Sequence, residues 1–384
     1  MKKEAEIYIH IPFCVKKCEY CDFLSGKADE ETRREYTRLL REEIRTSSWV
    51  AEGISVPTIF IGGGTPSILN GAQVRDILQT VKESFQVQEN AEITIEANPG
   101  TLSEEKLNAY KEAGINRLSI GLQTTNMEEL KLLGRIHTYD DFLESYRLAR
   151  KAGFTNINVD IMSALPGQSI ASYKETLKRV CSLKPEHISA YSLIIEEGTP
   201  FAARYMEDEY RREKGEKPEL LPSEEEERQM YELTKEFLET QGYHRYEISN
   251  YAKPSYECKH NIGYWTRKDY LGFGLGASSL YQDIRYRNQE DLCRYLNLDW
   301  KREEQLLSEK EKIEEFMFLG LRLDKGVSKQ EFKENFLEDI EIFYGEIIDV
   351  LKKQALITEE GGRIYLTSFG RDVSTFVMSH FLFS

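Results

Sequence analysis

The sequence lacks any long apolar run, and its cysteines are few. No uninterrupted apolar segment in its 384 residues approaches the roughly 20 that a membrane-spanning helix needs. The opening residues, MKKEAEIYIHIPF, contain neither an extended apolar stretch nor a small-residue cleavage site, which excludes a secretory signal. The 6 cysteines do not show the paired pattern of a disulfide framework. We therefore predict a cytoplasmic protein without a transmembrane segment.

Basic charge is also in short supply. Lys and Arg number 51 against 66 Asp and Glu, which gives a formal net charge of −15. Because a nucleic-acid-binding protein presents a basic face, we expect no nucleic-acid partner, while small-molecule and protein partners stay open. Hydrophobic residues make up 40% of the chain and charged residues 30%, the balance of a globular protein. The length favours two or three structural units.

A short β-rich segment followed by an amphipathic helix recurs through the first 200 residues. Predicted strands begin near residues 6, 57, 92, 116, 156 and 187. This alternation predicts an α/β fold with parallel strands and right-handed crossovers. Six units are fewer than a closed eightfold barrel has, so we favour a partial (β/α)6 TIM-type barrel over residues 1–200. The pattern alone does not exclude a flat doubly wound sheet.

The rhythm changes after the sixth strand. Residues 201–300 are predicted to be a connecting region, rich in mixed charge at first and then in Gly and Tyr. Residues 301–384 predict three helices followed by two short strands about Gly361 and Gly362, an order that resembles a winged-helix-like α+β domain. From Leu307 onward this segment has 10 Lys and Arg against 15 Asp and Glu, so we expect a packing or lid domain rather than a DNA-binding one.

Three cysteines lie close together near the amino terminus. Cys14, Cys18 and Cys21 follow the pattern Cys-x3-Cys-x2-Cys. A structural zinc site usually takes four protein ligands, a disulfide would leave one thiol over, and a single nucleophile needs no neighbouring thiols. Three thiolates on a short loop suit a [4Fe-4S] cluster with one iron left open. We predict such a cluster, with zinc as the remaining alternative.

The cysteine pattern, placed directly after the first predicted strand, resembles the radical S-adenosylmethionine (SAM) superfamily. That resemblance implies that the amine and carboxylate of SAM chelate the open iron. It also implies that GGGTP, residues 62–66, receives the methionine part of SAM. Taken alone, the same five residues are typical of a tight turn, although glycines also let backbone N–H groups approach an anion.

Polar side chains then recur at the predicted carboxyl ends of the next strands, where barrel enzymes place their ligand sites. Glu96, Gln123 and Asp160 hold these positions. Each alone could be a cap or a core polar group with its hydrogen bonds satisfied, but three in phase favour a ligand site. Arg135 could be a surface cation, or it could hold the SAM carboxylate through a bidentate contact.

Over its full length the chain resembles the oxygen-independent coproporphyrinogen III oxidase family. The motifs that carry this resemblance are YIHIPFC, GGGTPS, EANPG, RLSIGLQ, LGRIHT and DIMSALPGQ. It implies a cluster on the three cysteines. The SAM-binding residues that it implies are Tyr8, Tyr20, Gly63, Gly64, Thr65, Glu96, Gln123, Arg135 and Asp160.

Two branches of this family differ at the end of the cysteine motif. The pattern typical of the oxidases is Cys-x3-Cys-x2-Cys-x-Cys, whereas this chain has Phe23 at the position of the last cysteine. They also carry several dozen residues before the cluster loop, a segment that we expect to be absent here. The HemW heme-chaperone branch ends its motif in Cys-Asp-Phe and has His-Asn-x-x-Tyr-Trp after the barrel. This chain reads HNIGYW, with His260, Tyr264 and Trp265.

A lone histidine among aromatic residues is usually a packed or surface residue, but imidazole is also a common axial ligand of heme iron. With the branch motif intact, the resemblance implies that His260 binds heme and that Tyr264 and Trp265 line the ring. We therefore expect a heme chaperone that passes heme to an acceptor apoprotein, with a membrane respiratory protein as one candidate acceptor. The alternatives are a SAM-dependent coproporphyrinogen III oxidase and a cluster-bearing regulatory or electron-transfer protein. No residue is assigned a catalytic role.

Overall fold

The first six strands run parallel and in chain order. The structure, a computed structural model, describes residues 3–47, 53–300 and 303–383. These strands are β1 (Glu6–Ile11), β2 (Ser55–Gly63), β3 (Gln86–Ala97), β4 (Arg117–Gln123), β5 (Ile157–Ser163) and β6 (His187–Ser192). Each pairs in parallel with the next, which confirms the predicted α/β fold.

Helices between these strands cover the outer face of the sheet. They are α1 (Glu30–Thr46), α2 (Gly71–Ser84), α3 (Glu104–Ala113), α4 (Met127–Leu132), α5 (Tyr139–Lys151) and α6 (Ile170–Ser182). Asp29 caps α1 and Asn70 caps α2, each by accepting a backbone N–H with its side chain. Buried side chains of the helices, such as Leu40 and Ile77, share one hydrophobic core with the strands.

The strands alternate between an apolar outer face and a polar inner face. Along β1, Ile7 and Ile9 belong to the core beneath the helices. Glu6, Tyr8 and His10 therefore point the other way, into the concave side of the sheet. This inner face carries the side chains from which the candidate sites are built.

Later strands extend the sheet at both ends. Beyond β6 lie the antiparallel β7 (His244–Arg245) and β8 (Asn250–Ala252). Beyond β1 lie β9 (Tyr270–Phe273), which is parallel to β1, and then the antiparallel β10 (Ser278–Tyr281), β11 (Ile284–Arg287) and β12 (Glu303–Leu306). Within the described ranges β12 and β7 are the two edges, so the barrel is open, in agreement with the predicted partial barrel.

The helices of this region are α7 (Pro200–Glu213), α8 (Glu224–Thr240), α9 (Lys259–Trp265) and α10 (Leu292–Leu296). The sequence did not indicate strands between residues 201 and 300, because segments of two to four residues are too short to show a period of two. The division of the chain at residues 200 and 300 stays a prediction.

The carboxyl-terminal part has a hydrophobic core of its own. Its elements are α11 (Glu309–Gly320), β13 (Val327–Ser328), α12 (Lys329–Phe336), α13 (Ile340–Lys353), β14 (Ile357–Glu360), β15 (Arg363–Leu366), α14 (Ser368–Asp372) and α15 (Ser374–Ser379). The three predicted helices and the strand pair about Gly361 and Gly362 are confirmed, while β13 and the last two helices are additions. No helix described in the chain is long and apolar enough to cross a membrane.

Ion pairs join this carboxyl-terminal part to the extended sheet. Arg245 of β7, only 3% exposed, contacts Asp324 at 3.2 Å. Arg267, which follows α9, contacts Glu315 of α11 at 2.9 Å. Because one partner of each pair is largely buried, these contacts fix where the carboxyl-terminal part sits against the sheet.

Tyr36 of α1 fixes the end of β1 from which the cysteine loop starts. Its buried hydroxyl donates to the carbonyl of His10 (2.8 Å) and accepts the backbone N–H of Leu275 (2.9 Å). Replacing Tyr36 by Phe leaves both backbone groups without that partner, so we expect a loss of about 1–3 kcal/mol in the free energy of unfolding. Urea denaturation measures it, with the exposed Tyr210→Phe as the control. Equal midpoints for the two variants would contradict this role.

Candidate functional site

A cavity of about 380 Å³ opens at the carboxyl ends of the parallel strands. This volume lies in the range of small-molecule sites. The residues predicted from sequence that line it are Cys14, Cys18, Tyr20, Cys21, Gly63, Gly64, Thr65, Glu96, Gln123, Arg135 and Asp160. The structure therefore brings eleven predicted residues from six separate segments together. Tyr8, His260, Tyr264 and Trp265 are not among the lining residues.

The three cysteines lie on a loop that is closed at its base. The backbone N–H of Cys14 donates to the carbonyl of Gly26 (2.9 Å), and the N–H of Gly26 donates to Pro12 (3.0 Å). His10 donates its Nε2–H to the carbonyl of Leu24 at 2.9 Å. These bonds hold the two ends of the loop together, while all three thiols remain partly exposed toward the cavity.

The GGGTP segment approaches the cysteine loop too closely for larger residues. A Cβ on Gly64 would lie 2.8 Å from the carbonyl oxygen of Phe13 and 3.0 Å from Cys14 Sγ. Gly63 has φ +113°, and a Cβ there would lie 2.6 Å from the His10 ring. Glycine is therefore required at both positions because the segment packs directly against the protein's own cysteine loop. The expected approach of this backbone to SAM stays a prediction.

Arg135 lies against one of the thiols. Its Nη1 is 3.5 Å from Cys18 Sγ, and its Nη2 donates to the carbonyl of Gly121 at 2.5 Å. Burial alone would lower the pKa of Arg135, but the nearby Tyr20 and Cys18 raise it above its usual value. Its Nε is buried and has no hydrogen-bond partner among the described residues. A carboxylate ligand in the cavity would satisfy this cation.

Two acidic side chains face the same space. Burial, reinforced by the neighbouring Asp160, raises the pKa of Glu96 to about 8. Burial also raises the pKa of Asp160, which accepts hydrogen bonds from Asn158 (2.7 Å) and Ser119 (3.3 Å). Two buried carboxyl groups disfavour each other's ionisation, and a positively charged ligand in the cavity would favour the ionised form of both. The cavity thus offers partners for both the carboxylate and the cationic groups of SAM.

The donor set also suits an iron–sulfur cluster. Three thiols from one loop line one cavity, and the described residues hold no other group of cysteines. Across residues 3–47, 53–300 and 303–383, no three His, Cys, Asp or Glu side chains converge on a position for a single metal ion. A structural zinc site takes four protein ligands at one centre, whereas a [4Fe-4S] cluster can be held by three thiolates on different irons.

Several lining residues were missed by the sequence reasoning. They are Lys16, Asp22, Asn98, Ser119, Gly121, Met162, Tyr191, Leu193 and Ile194, among others. Asn98 lies two positions after Glu96, and Tyr191 is the second-last residue of β6, so the same argument from strand-end position could have found both. Tyr191 donates its hydroxyl to Gln123 Oε1 at 3.1 Å. The loop residues after β6 gave no signal of this kind.

Tyr8 supports the cysteine loop from below. Its hydroxyl donates to Nδ1 of His10 at 2.9 Å, and its ring lies 6.4 Å from that of Phe60. Since His10 in turn holds Leu24, Tyr8 acts on the loop through His10. A direct contact of Tyr8 with SAM stays a prediction.

The HNIGYW segment forms α9, which fills the concave side of the sheet near the amino ends of the strands. His260 is 1% exposed, its ring is stacked on Phe60 at 5.2 Å, and its Nδ1 is 2.7 Å from Thr58 Oγ1. Its Nε2 is 3.1 Å from the hydroxyl of Tyr264. Burial lowers the pKa of His260 to about 3, so the ring is neutral. Both ring nitrogens are therefore engaged inside the fold.

The start and the end of α9 are held by different partners. The carboxylate of Glu92 accepts the backbone N–H groups of Lys259 and His260, each at 3.2 Å, as a cap of the helix. At the other end, the guanidinium of Arg322 lies 4.2 Å above the ring of Trp265. The HNIGYW motif is thus held at its start by Glu92 of β3 and at its end by Arg322 of the carboxyl-terminal part.

Comparison with known families agrees with both parts of this architecture. Residues 8–180 match the Radical SAM superfamily, and residues 307–373 match the HemN C-terminal domain. Among solved structures, coproporphyrinogen III oxidase (HemN) from Escherichia coli, a radical SAM enzyme, superposes with a TM-score of 0.83 at 26% identity. The match covers 99% of this chain and 90% of that one. The fold and the cysteine-lined cavity together define a radical SAM protein.

Full-length relatives narrow the assignment. The chain is 38% identical to the heme chaperone HemW of Lactococcus lactis subsp. lactis, over 100% of this chain and 98% of the relative. It is 36% identical to the heme chaperone HemW of Bacillus subtilis, over 98% of each. Radical S-adenosyl methionine domain-containing protein 1, mitochondrial, of Danio rerio is 31% identical, over 94% of this chain and 82% of that protein. Within the superfamily, this chain belongs to the HemW family.

The geometry predicts that iron binding depends on three cysteines only. Replacing Cys14, Cys18 or Cys21 by Ala removes one thiolate, so anaerobically reconstituted protein should lose most of its bound iron and its visible absorption. Iron and sulfide analysis measures the loss. The buried Cys181 and the exposed Cys293 provide the controls, and their Ala variants should bind iron like the parent. Full iron content in Cys18→Ala would remove that residue from the ligand set.

Proposed function

We propose that this protein is a heme chaperone, which binds heme and transfers it to an acceptor apoprotein. The observation that carries this proposal is the similarity along the whole chain to proteins named heme chaperones, at 38% and 36% identity. The acceptor is defined here only as an apoprotein that receives heme. A respiratory membrane protein as the acceptor and the cytoplasm as the location of this protein stay predictions.

We propose further that Cys14, Cys18 and Cys21 hold a [4Fe-4S] cluster and that SAM binds beside it. When bound, the cluster supplies single electrons to SAM. The residues of the cavity have separate tasks. Arg135, with its unpaired Nε, is the partner for the SAM carboxylate, and Glu96 and Asp160 face its cationic groups. Gly63 and Gly64 let the GGGTP segment lie directly against His10 and the cysteine loop.

Heme is the cargo, and His260 is the proposed ligand of its iron. The ring is neutral, which is the form that ligates iron. Its Nε2 is bonded to Tyr264 and its Nδ1 to Thr58, so coordination requires that one of these bonds break. The proposal therefore includes a rearrangement of α9 that exposes the ring together with Tyr264 and Trp265.

A second candidate, oxidation of coproporphyrinogen III, is favoured by the likeness to the Escherichia coli oxidase over 99% of this chain. Phe23 speaks against it. This side chain is 61% exposed and lines the cavity. It stands at the position where the pattern typical of the oxidases has a further cysteine. Anaerobic incubation with coproporphyrinogen III, SAM and a reductant should yield no protoporphyrinogen. Steady, SAM-dependent formation of that product would favour the second candidate.

Asp160 provides the test of the SAM site. Asp160→Ala should leave the iron content unchanged, because the side chain is hydrogen-bonded to Ser119 and Asn158 and is not one of the proposed thiolate ligands. It should weaken SAM binding by about 1–3 kcal/mol, since a charged hydrogen-bonding group is lost. Isothermal titration of the reconstituted protein measures the affinity, and Asp140→Ala, an exposed position on α5, is the matched control. If both variants bind SAM like the parent, Asp160 is not a contact.

Two substitutions in α9 test the heme ligand in opposite directions. His260→Ala should abolish the heme spectrum of the parent. Tyr264→Phe keeps an aromatic ring but frees Nε2 of His260 from the hydroxyl, so the heme affinity should rise several-fold, the equivalent of one hydrogen bond of about 1 kcal/mol. Spectroscopic titration with heme measures both.

His380→Ala is the control, because this histidine follows α15, outside the HNIGYW segment, and its Nδ1 bonds to the carbonyl of Phe376. It should titrate like the parent. An unchanged spectrum and affinity in His260→Ala would discard His260 as the ligand while leaving heme binding itself intact. A parent protein that binds no heme would contradict the proposed function as a whole.

A further inference from the structure

The hydroxyl of Thr65 reaches one of the three thiols. Its Oγ1 lies 3.4 Å from Cys14 Sγ, which is within hydrogen-bond distance for sulfur. Thr65 is 3% exposed, so water does not compete freely for this contact. The resemblance to radical SAM proteins implies that Thr65 lies near SAM, which stays a prediction; in the structure Thr65 lines the cavity and its hydroxyl contacts the cysteine loop.

The direction of this hydrogen bond is set by Asn98. The side-chain amide of Asn98 donates from Nδ2 to Thr65 Oγ1 at 2.9 Å. An amide nitrogen donates only, and a threonine hydroxyl has a single hydrogen. The Thr65 hydroxyl thus accepts from Asn98 and keeps its single hydrogen for the sulfur of Cys14, which as a thiolate can only accept. A chain of two hydrogen bonds therefore runs from Asn98 through Thr65 to Cys14.

Asn98 is itself fixed by bonds of its backbone. Its N–H donates to Ser67 Oγ at 3.2 Å, and its carbonyl accepts the hydroxyl of Thr101 at 2.6 Å. Ser67 and Thr101 are joined by a further bond of 2.6 Å. The loops after β2 and β3 therefore hold the backbone of Asn98 in place beside Thr65, and the hydrogen bonds to Cys14 are formed without a ligand.

We propose that Thr65 is a positioning residue that donates a hydrogen bond to the Cys14 thiolate and so raises the reduction potential of the cluster, with Asn98 setting the direction of that bond. This inference rests on the proposed cluster. Reduction adds negative charge to the cluster and its thiolates, and a hydrogen bond to sulfur stabilises the more negative state. Arg135 plays the corresponding part at Cys18, where its Nη1 is 3.5 Å from the sulfur.

Thr65→Val is close in shape and lacks the hydroxyl, whereas Thr65→Ser keeps it. A redox titration of the reconstituted proteins, followed by EPR of the reduced cluster, measures the midpoint potential. We expect Thr65→Val to shift the potential to a more negative value and Thr65→Ser to match the parent. Asn98→Ala should shift it in the same direction by less, because the hydroxyl can then turn away from the sulfur.

The outcomes separate this inference from the proposed cofactor. A parent protein without iron or an EPR signal overturns both. A parent with an intact cluster and unchanged potentials in Thr65→Val and Asn98→Ala overturns the inference alone. Equal shifts in Thr65→Val and Thr65→Ser also overturn it, since packing rather than the hydroxyl would then be responsible. If Thr65→Val binds no iron, an unchanged potential in Asn98→Ala decides against the inference and a negative shift supports it.

Discussion

Successive side chains of a strand point to opposite faces of the sheet, and the two faces of β1–β6 lie in different environments. The outer face packs against helices and is apolar. The inner face is enclosed by the curvature of the sheet and carries polar side chains, such as Glu6, Thr58 and Glu96, which must find partners because a buried polar group without one is costly. The molecule satisfies this constraint differently at the two ends of the strands.

At the amino ends, α9 supplies partners for Glu92 and Thr58, whereas both carboxyl oxygens of Glu6 have no hydrogen-bond partner among the described residues. Glu92 caps the helix, Thr58 bonds to His260, and Phe60 stacks on the same ring. At the carboxyl ends, the polar groups around the cavity are not all paired. Arg135 keeps an unpaired Nε, and burial raises the pKa of both Glu96 and Asp160. A protein that retains such unfavourable groups around a cavity is arranged for a ligand that completes them.

This difference between the two ends of the strands also explains which features could be predicted from the sequence. Periodicity and strand-end position rest on local spacing, and they led to the six parallel strands, the cysteine loop, and the cavity lined by Glu96, Gln123 and Asp160. The enclosure of His260 depends on Thr58, which is 202 residues away in the chain. No local pattern contains such a contact, so HNIGYW reads as an available heme ligand until the fold shows both ring nitrogens engaged. The donor at Cys14 was hidden for the same reason, since Asn98 meets Thr65 only in space.

The two ends are nonetheless in contact through the inner face. The ring of His260 stacks on Phe60, and Phe60 lies 6.4 Å from the ring of Tyr8. Tyr8 bonds to His10, and His10 bonds to the carbonyl of Leu24 in the cysteine loop. A movement of α9 that freed His260 would remove the packing partner of Phe60 on β2, the strand that ends in Gly63 beside His10. Contiguity of this kind is not itself coupling. It does mean that His260, the ligand proposed for heme, and the cysteine loop belong to one continuous set of contacting side chains, which runs through Phe60, Tyr8 and His10.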